Sequence, residues 1–342
     1  MYSAIIKKNY DRSYVRWWPR YAYHYTDISN AVGILTSGRI YSRINAGNLK
    51  LMKNDNASRQ VIDMTSPEIT SYVRFYFRPL TPTQFHNEGF KHYKLRYDGD
   101  TNANVPVPVF LIFDLNKLLS DPNTQFSGSS QAGYGTTMYN TVSDFEKLDF
   151  DRIYGGGVPL KEDVAYRHAE IVCHEYYEID KSIVGIACRN EVEKQTLCNM
   201  LWEKNHRTFY KYKEMIKVMK EDMFEKNGLF ISDCDYHGDS LGIRFSNTKS
   251  KRDYSHRAMK QNPEIDIDSL QVSMRIVFDW MTRNGGLYHR EITRNIDYND
   301  TQTIVVSKIP IIRGAKELWV RIDIEEKNMC FLKYQLGAGE VL

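Results

Sequence analysis

One acidic residue of the chain stands where an enzyme could use it, at the start of an apolar strand and directly after a flexible loop. The segment YRHAEIV (166–172) places Glu170 at this junction. A carboxylate there can be held beside a reacting sugar or base, and neighbouring cations can tune its protonation. Glu170 is therefore the leading catalytic candidate, although the pattern by itself is better explained as a surface charge that pairs with Arg167.

A second pattern places a histidine just before the N-terminus of an apolar helix. The residues YHYT (23–26) are followed by this helix and then by GRIYS (38–42). The ring of His24 can contact a polar ligand there, while the helix amides favour an anion such as a pyrophosphate. Taken alone, however, His24 is better explained as a structural histidine.

The elements that position these residues follow from turn signals and periodicity. In residues 20–45 we expect a strand, a helix and a further strand, with Asp27 or Ser29 capping the helix and Gly38 ending it. A capping box of Asn190 and Glu193 begins a helical stretch that is expected to break near 205–208 and to extend as far as Gly228. Apolar, β-branched and aromatic content predicts further strands at 72–80, 107–115, 169–177, 182–189, 303–312 and 318–326.

Charge is nearly balanced over the chain but is concentrated at one end. The 46 Lys and Arg residues exceed the 43 Asp and Glu residues by three, yet residues 1–60 alone carry a net charge of +7. Within the first twenty residues, basic side chains alternate with Tyr and Trp. That mixture suits single-stranded nucleic acid, or equally an arm that packs against the core.

Composition excludes several classes of protein. With 42% hydrophobic and 26% charged residues, the chain is neither disordered, collagenous nor a coiled coil. Its apolar runs are too short to cross a bilayer, and charges occupy the place of a signal peptide's apolar stretch. The five cysteines form no C-x-x-C pair and the nine histidines are scattered. We therefore expect a cytoplasmic protein without a membrane span, a disulfide framework or a metal.

Three motifs in a fixed order together resemble one known family. They are the H-Y-T entry to a helix that ends I-L-x-x-G-x-I, the strand VRFYFRP (73–79), and the R-H-A-E start of a strand. In this order they resemble the DarT family of DNA ADP-ribosyltransferase toxins, over roughly residues 20–190. The start of the last strand departs from the family's usual Arg-Gln-Ala-Glu, because His168 takes the place of Gln.

The resemblance implies an NAD-dependent enzyme that transfers ADP-ribose from NAD to a base of single-stranded DNA and releases nicotinamide. It assigns His24 and Thr26 to the nicotinamide end of NAD, with Tyr76 as a further NAD-binding candidate. Glu170 matches the family's catalytic glutamate, which would stabilise the cationic ribosyl transition state or accept a proton from the base. By order and spacing, Arg59 matches an arginine that the family uses to hold the site together.

The loop at about 125–167 corresponds to the family's substrate loop. Its base-contacting candidates are Tyr134, Thr136, Thr137 and Asn140, because aromatic faces stack on unpaired bases and amides read base edges. Arg167 is a further substrate-binding candidate at the end of this loop. Each of these is explained equally well as an ordinary loop residue.

The resemblance also sets the expected architecture. We expect an α+β fold with an ADP-ribosyltransferase-like core of two packed small β-sheets, an NAD cleft and flanking helices, plus a mixed C-terminal extension. The predicted divisions are a basic aromatic arm (1–20), the core (20–190) and a helical and mixed α/β extension (191–342). The family further implies a cognate antitoxin of the ADP-ribosylglycohydrolase type.

The target base and the acceptor remain open between alternatives. The extra length and the run RPLTPTQFHNEG (78–89) resemble the longer branch of the family, which modifies guanine. Thymine is the alternative base and RNA the alternative acceptor, because only contacts to a 2′-hydroxyl distinguish the two sugars. A catalytically silent nucleic-acid-binding protein on the same fold is an alternative of a different class, and a protein-modifying transferase is the least supported.

Overall fold

The computed structural model describes residues 1–56, 67–96, 103–131, 136–219 and 222–336. The strands in these ranges are β1 (Tyr21–Asp27), β2 (Arg39–Tyr41), β3 (Tyr72–Tyr76), β4 (Pro108–Asp114), β5 (Thr124–Phe126), β6 (Glu170–His174), β7 (Tyr176–Glu178), β8 (Ile183–Cys188), β9 (Ile216–Val218), β10 (Ile231–His237), β11 (Ser240–Phe245), β12 (Gln271–Thr282), β13 (Leu287–Asp297), β14 (Thr303–Val306), β15 (Ala315–Ile324) and β16 (Lys327–Gln335). The helices are α1 (Tyr2–Lys8), α2 (Ile28–Ser37), α3 (Arg43–Asn48), α4 (Pro67–Thr70), α5 (Pro82–Asn87), α6 (Leu115–Leu119), α7 (Val142–Glu146), α8 (Phe150–Tyr154), α9 (Glu191–Lys204), α10 (His206–Tyr212) and α11 (Thr248–Gln261). Short 3-10 turns lie at Trp18–Arg20, Tyr93–Leu95, Lys161–Asp163, Tyr166–His168 and Ile179–Lys181.

Helix α2 forms where the sequence predicts it. Its first turn is capped by Asp27, whose carboxylate accepts a hydrogen bond from the amide of Ser29 at 2.9 Å. It ends at Gly38, whose φ of +71° lies in the left-handed region that glycine tolerates best. The apolar side chains of Val32 and Leu35 are buried against the core. Both predicted ends of this helix are therefore confirmed.

A seven-stranded sheet forms the centre of the N-terminal region, with strand order β5-β6-β3-β1-β4-β8-β9. Neighbouring strands are antiparallel except β8 and β9, which are parallel. The central strand β4 buries six of its seven residues, as its continuous apolar run predicts. Strands β2 and β7 pair separately as a second, two-stranded sheet.

The helical stretch after residue 190 is shorter than its sequence predicts. Asn190 caps α9 through the amide of Glu193, and the predicted break falls at Asn205, whose side chain caps α10. After Tyr212 the chain turns into β9, which extends the central sheet beside β8, so the prediction that helix reaches Gly228 is wrong. The central sheet therefore continues past the predicted core boundary at 190.

The C-terminal region adds two further sheets, β10-β11-β14 and β13-β12-β15-β16, together with α11. Helix α9 lies on the last strand of the larger sheet. There Asn199 donates to the carbonyl of Phe331 and the amide of Phe331 donates to Thr196, so α9 supplies hydrogen bonds that an edge strand otherwise lacks. The α+β class that the sequence predicts is confirmed.

The N-terminal arm packs on the core. Trp18 is fully buried, and Ile5 and Ile6 of α1 are buried as well. Tyr14, by contrast, is 68% exposed, and the guanidinium of Arg16 lies 2.9 Å from Asp11 on the surface. No helix among the described residues is both long enough and apolar enough to span a bilayer.

Candidate active site

A cavity of about 690 Å³ opens beside three neighbouring strands of the central sheet, β6, β3 and β1. Helices α2, α3, α4 and α5, strand β2 and the loop 51–56 also contribute lining residues. Polar side chains from the three strands and the turn before β6 line it, namely His24, Thr26, Arg74, Tyr76, His168 and Glu170. Four residues predicted from distant parts of the sequence, His24, Thr26, Tyr76 and Glu170, are thus brought together.

Strand pairing explains why two of these residues, Tyr76 and Glu170, lie together. Tyr76 of β3 lies opposite Glu170 of β6, and opposite residues of paired strands point to the same face. Along β3 the buried residues Val73 and Phe75 alternate with Arg74 and Tyr76, which are only half-buried. The alternation therefore turns the apolar side chains to the core and the polar ones to the cavity.

Glu170 is the most perturbed carboxyl group of this cavity. It is 1% exposed, and burial raises its pKa from 4.5 to about 7, although Arg74 and the backbone amide of Gln131 oppose the rise. The Nε atom of Arg74 lies 3.8 Å from Oε2 of Glu170, too far for a hydrogen bond. Oε2 has no hydrogen-bond partner among the described residues. One oxygen of a buried carboxylate is therefore left for a ligand.

His24 is held in one tautomer by the neighbouring strand. Its Nδ1 atom lies 3.0 Å from the carbonyl oxygen of Arg74, and because a carbonyl can only accept, Nδ1 carries the proton. Burial lowers the pKa of His24, so the ring stays neutral near pH 7. Nε2 is then an acceptor at the cavity side of the sheet, where His24 contributes to the lining.

Two other cavity residues are also kept neutral. Burial, together with the neighbouring His86 and Arg74, lowers the pKa of His168 to about 4. Burial together with the charge of Glu170 raises the pKa of Tyr76, so its phenol keeps its proton. Near Glu170 the cavity lining thus includes the neutral side chains of His168 and Tyr76 as well as the cation of Arg74.

Arg167 lies at a different place from the cavity lining. Its guanidinium donates to the carbonyl oxygens of Gly157 at 2.6 Å and Gly156 at 2.8 Å. Arg78 likewise donates to the carbonyls of Ile153 and Gly155, at 3.1 and 2.6 Å. Together the two arginines fix the glycine-rich end of the predicted substrate loop, and a substrate-binding role for Arg167 stays a prediction.

The loop candidates that the structure describes, Thr136, Thr137 and Asn140, are not among the residues that line the cavity. Thr136 donates from Oγ1 to the carbonyl of Ser130 at 2.8 Å, and Ser130 itself lines the cavity. Thr137 and Asn140 are exposed. Arg59 and Tyr134 lie outside the described residues. The assigned roles of all these residues stay predictions.

Sequence reasoning missed Arg74, the cation closest to Glu170. The signal was present, since in VRFYF (73–77) the charged and phenolic residues alternate with apolar ones. It also missed the ion pair of Arg43 with Asp55, both of which line the cavity. That pair joins α3 to a loop, and no periodicity in the sequence relates the two positions.

The arrangement can do two kinds of chemistry at Glu170. A buried carboxylate can stabilise a developing positive charge, and a group with a pKa near 7 can accept a proton at neutral pH. Among the residues that the structure describes, no group of three His, Cys, Asp or Glu side chains is placed to hold a metal ion.

These features define a class of site before they define a family, namely one in which a buried carboxylate with a raised pKa lies beside a ligand-sized cavity. A family model described as "ssDNA thymidine ADP-ribosyltransferase, DarT" matches residues 23–219, more than half of the chain. The chain therefore belongs to the DarT family. Comparison with curated proteins gave no match.

Several solved structures are similar to the chain at low identity. Thermus sp. 2.9 DarT in complex with ADP-ribosylated ssDNA is 14% identical, covers 60% of this chain and 97% of its own, and has a TM-score of 0.47. Thermus sp. 2.9 DarT in complex with NAD+ is 16% identical, with coverages of 60% and 98% and a TM-score of 0.44. Thermosipho africanus DarTG in complex with ADP-ribose is 12% identical, with coverages of 58% and 49% and a TM-score of 0.41.

Proposed function

We propose that this protein is a toxin that transfers ADP-ribose from NAD to a base of single-stranded DNA, with release of nicotinamide. Membership of the DarT family supports the reaction class. The observation that carries the proposal is the carboxylate of Glu170, which is buried at the cavity and has one oxygen without a hydrogen-bond partner among the described residues. The buried carboxylate of Glu193 also has one oxygen without such a partner, but its other oxygen is bound by Arg189 and Glu193 does not line the cavity.

The proposed step breaks the bond between the ribose C1′ and the nicotinamide nitrogen, and forms a bond from C1′ to a nitrogen of the base. The electron pair of the broken bond neutralises the leaving nicotinamide, and C1′ carries positive charge in the transition state. Glu170 stabilises this charge. It then accepts the proton that the base nitrogen loses, and its pKa of about 7 suits that transfer at neutral pH.

Other residues would bind the NAD molecule. The neutral Nε2 of His24 can accept a hydrogen bond from the nicotinamide carboxamide, with Thr26 and Tyr76 beside it. Arg74 brings positive charge to the cavity wall, which suits a pyrophosphate, whereas the charge of Arg43 is paired with Asp55. A volume of about 690 Å³ lies within the usual range of ligand cavities. Arg59 is kept as a proposed member of this group.

We propose guanine as the base, on the length of the chain and the run RPLTPTQFHNEG (78–89). Thymine is the second candidate, because the matching family is described as thymidine-modifying. The loop residues Tyr134, Thr136, Thr137 and Asn140, with Arg167, are the proposed contacts to this base. A cognate antitoxin of the ADP-ribosylglycohydrolase type, a cytoplasmic location and the three divisions of the chain (1–20, 20–190 and 191–342) complete the proposal.

The test uses the purified full chain, NAD and four single-stranded DNA oligonucleotides that each lack one base, with RNA versions alongside. Mass spectrometry should detect the addition of one ADP-ribose unit, and this addition should be absent only from the DNA that lacks guanine. If the addition is absent only from the DNA that lacks thymine, the modified base is thymine. If only the RNA versions are labelled, the acceptor is RNA. No mass shift on any strand, with NAD left intact, would refute the transferase.

A further inference from the structure

The loop 51–56, which forms one wall of the cavity, is hydrogen-bonded to the C-terminal region. Asn54 of this loop is buried, lines the cavity, and donates from Nδ2 to the carbonyl of Asn104 at 2.7 Å. Its backbone carbonyl accepts from Nδ2 of Asn30 on α2 at 2.7 Å. Its remaining side-chain atom, Oδ1, accepts from Nζ of Lys327 at 2.9 Å. The position of the loop therefore depends in part on a lysine about 270 residues later in the chain.

The backbone turn that precedes Lys327 is held by hydrogen bonds to β12. It begins β16 directly after a tight turn in which Glu325 and Glu326 have φ angles of +46° and +65°. The side chain of Glu325 accepts from the amide of Ser273 at 2.8 Å, and its own amide donates to the carbonyl of Ser273 at 3.0 Å. The turn is thus tied to β12, so Lys327 has a fixed base from which to reach the loop.

The charge of Lys327 also acts on the first turn of α2. Burial raises the pKa of Asp27, the residue that caps this helix, and the hydrogen bonds from Ser29 and the charge of Lys327 oppose that rise. An ionised cap is the better partner for the helix N-terminus. Lys327 therefore supports both the loop and the helix that line this side of the cavity.

The second wall, helix α5, is held by the same region. The helix has six residues, so its last carbonyls have no partners within it. Tyr254 donates from its hydroxyl to the carbonyl of His86 at 3.1 Å, and Asn227 donates from Nδ2 to the carbonyl of Phe85 at 2.9 Å. His86 lines the cavity. Residues beyond 219 therefore complete the end of this helix.

The two walls are also joined to each other. Asn87, at the end of α5, donates from Nδ2 to the carbonyl of Asn56 at 3.1 Å, and both residues line the cavity. A movement of either wall would therefore be passed to the other.

We propose that the C-terminal region (222–336) braces the NAD cavity, with Lys327 and Tyr254 as positioning residues that act through Asn54 and through α5. This inference rests on the proposed function. The family match ends at residue 219, so the bracing residues lie outside the matched part of the chain. Since neither residue is among those that line the cavity, their loss should weaken NAD binding and leave the chemical step at Glu170 nearly unchanged.

The experiment compares substitutions that remove one hydrogen bond each from the full chain. Lys327→Met keeps the aliphatic stem and removes the ammonium group, and Tyr254→Phe removes only the hydroxyl. The matched controls come from the same region: Lys333→Met breaks an ion pair with Glu317 at 2.8 Å, and Tyr334→Phe removes a hydroxyl that donates to the carbonyl of Cys234 at 2.7 Å. Lys327→Arg restores a charged donor and serves as the rescue.

We expect KM for NAD to rise about three- to tenfold in each brace variant, as loss of one hydrogen bond that orders a wall predicts, while kcat changes less than about twofold. The controls should keep the parental KM, and Lys327→Arg should recover most of it. Equal KM values in brace variants and controls would overturn the brace. So would a fall in kcat alone, or a rise in KM that follows the melting temperature across all variants.

Calorimetric titration of NAD onto the Glu170→Gln protein separates the two proposals. If the Glu170→Gln protein binds NAD, and adding Lys327→Met or Tyr254→Phe to it weakens that binding about three- to tenfold, the result would support the brace independently of turnover. Binding that these substitutions leave unchanged would overturn the brace alone. Absence of NAD binding by the otherwise unaltered chain as well as by Glu170→Gln would overturn the proposed function, and the brace with it.

Discussion

Two sheets of this protein each bury a carboxylate beside an arginine, but the carboxylate has close hydrogen-bond partners in only one of them. Asp323 in β15 accepts from Nη2 of Arg275 at 2.8 Å and from Nδ2 of Asn328 at 3.2 Å. Glu170 in β6 has Nε of Arg74 at 3.8 Å, and its Oε2 has no hydrogen-bond partner among the described residues. The two side chains are similarly buried, at 5% and 1% exposure for the whole residue.

The comparison separates a structural carboxylate from one that is available for chemistry. Asp323 lies opposite Arg275 in paired strands, and its bonds are complete within the sheet. Glu170 faces a cavity, and its pKa is raised to about 7 because burial is not matched by a close partner. Incomplete satisfaction of a buried group lowers stability, and it persists at sites where a ligand completes the bonds.

The largest expected effect is on transfer activity. Glu170→Gln keeps the shape of the side chain and removes the charge that stabilises the transition state and accepts the proton. We expect kcat to fall about 10²- to 10³-fold, as is usual when one electrostatic stabiliser is lost. Rates of ADP-ribose addition to the oligonucleotide, measured by mass spectrometry, give this value directly. A Glu170→Gln protein with parental activity would mean that the open carboxylate has another use.

The second expected effect is on stability, and it depends on pH. The pKa of Glu170 is raised from 4.5 to about 7 in the folded protein, so the folded state holds more protons between these values. Stability contributed by this group is therefore complete below about pH 4.5 and is lost as pH rises towards 7. Glu170→Gln removes that loss, so its free energy of unfolding should exceed that of the parent by a margin that grows from pH 5 to pH 8.

Urea unfolding of both proteins at pH 5, 6, 7 and 8, without NAD, measures this margin. A margin for Glu170→Gln that stays constant over this range would show that Glu170 is ionised throughout.

Much of the fold can be predicted from local sequence, and the reasons are local as well. Asp27 and Gly38 mark the two ends of α2, and the apolar run at 107–115 predicts the central strand β4. The end of the long helical stretch could not be predicted in this way. Local sequence alone would also allow a helix after Tyr212. Residues 216–218 form a strand instead because they pair with the edge of β8.

The candidate site was predictable where the motif residues themselves form it. His24, Thr26, Tyr76 and Glu170 meet because strand order places β1, β3 and β6 side by side. Sequence order says nothing about the distances between their atoms, so the role of Arg74 beside Glu170 was missed. The support from Lys327 was equally invisible, since it joins positions that are separated by 273 residues.

A smaller effect should follow from replacing the structural carboxylate of Asp323. Asp323→Asn removes a charge whose partner Arg275 has a half-exposed side chain, so we expect a loss of about 1 kcal/mol in the free energy of unfolding. Transfer activity should change less than about twofold, because Asp323 and its partners Arg275 and Asn328 are not among the residues that line the cavity. Urea unfolding and the oligonucleotide assay measure the two quantities. A large loss of activity without a loss of stability would contradict the division drawn between the two sheets.

The smallest expected effect is a shift in pH dependence when Arg74 is neutralised. The charge of Arg74 lowers the pKa of Glu170, so Arg74→Gln should raise it further above about 7. Since the carboxylate is the active form, the limb on which activity increases with pH should move to higher pH, by up to about one unit. Arg275→Gln, the matched change beside Asp323, should leave that limb in place. Profiles of kcat/KM from pH 5.5 to 9 record the shift, and a limb that stays in place while kcat/KM falls at every pH would show that Arg74 acts on the substrate rather than on the pKa of Glu170.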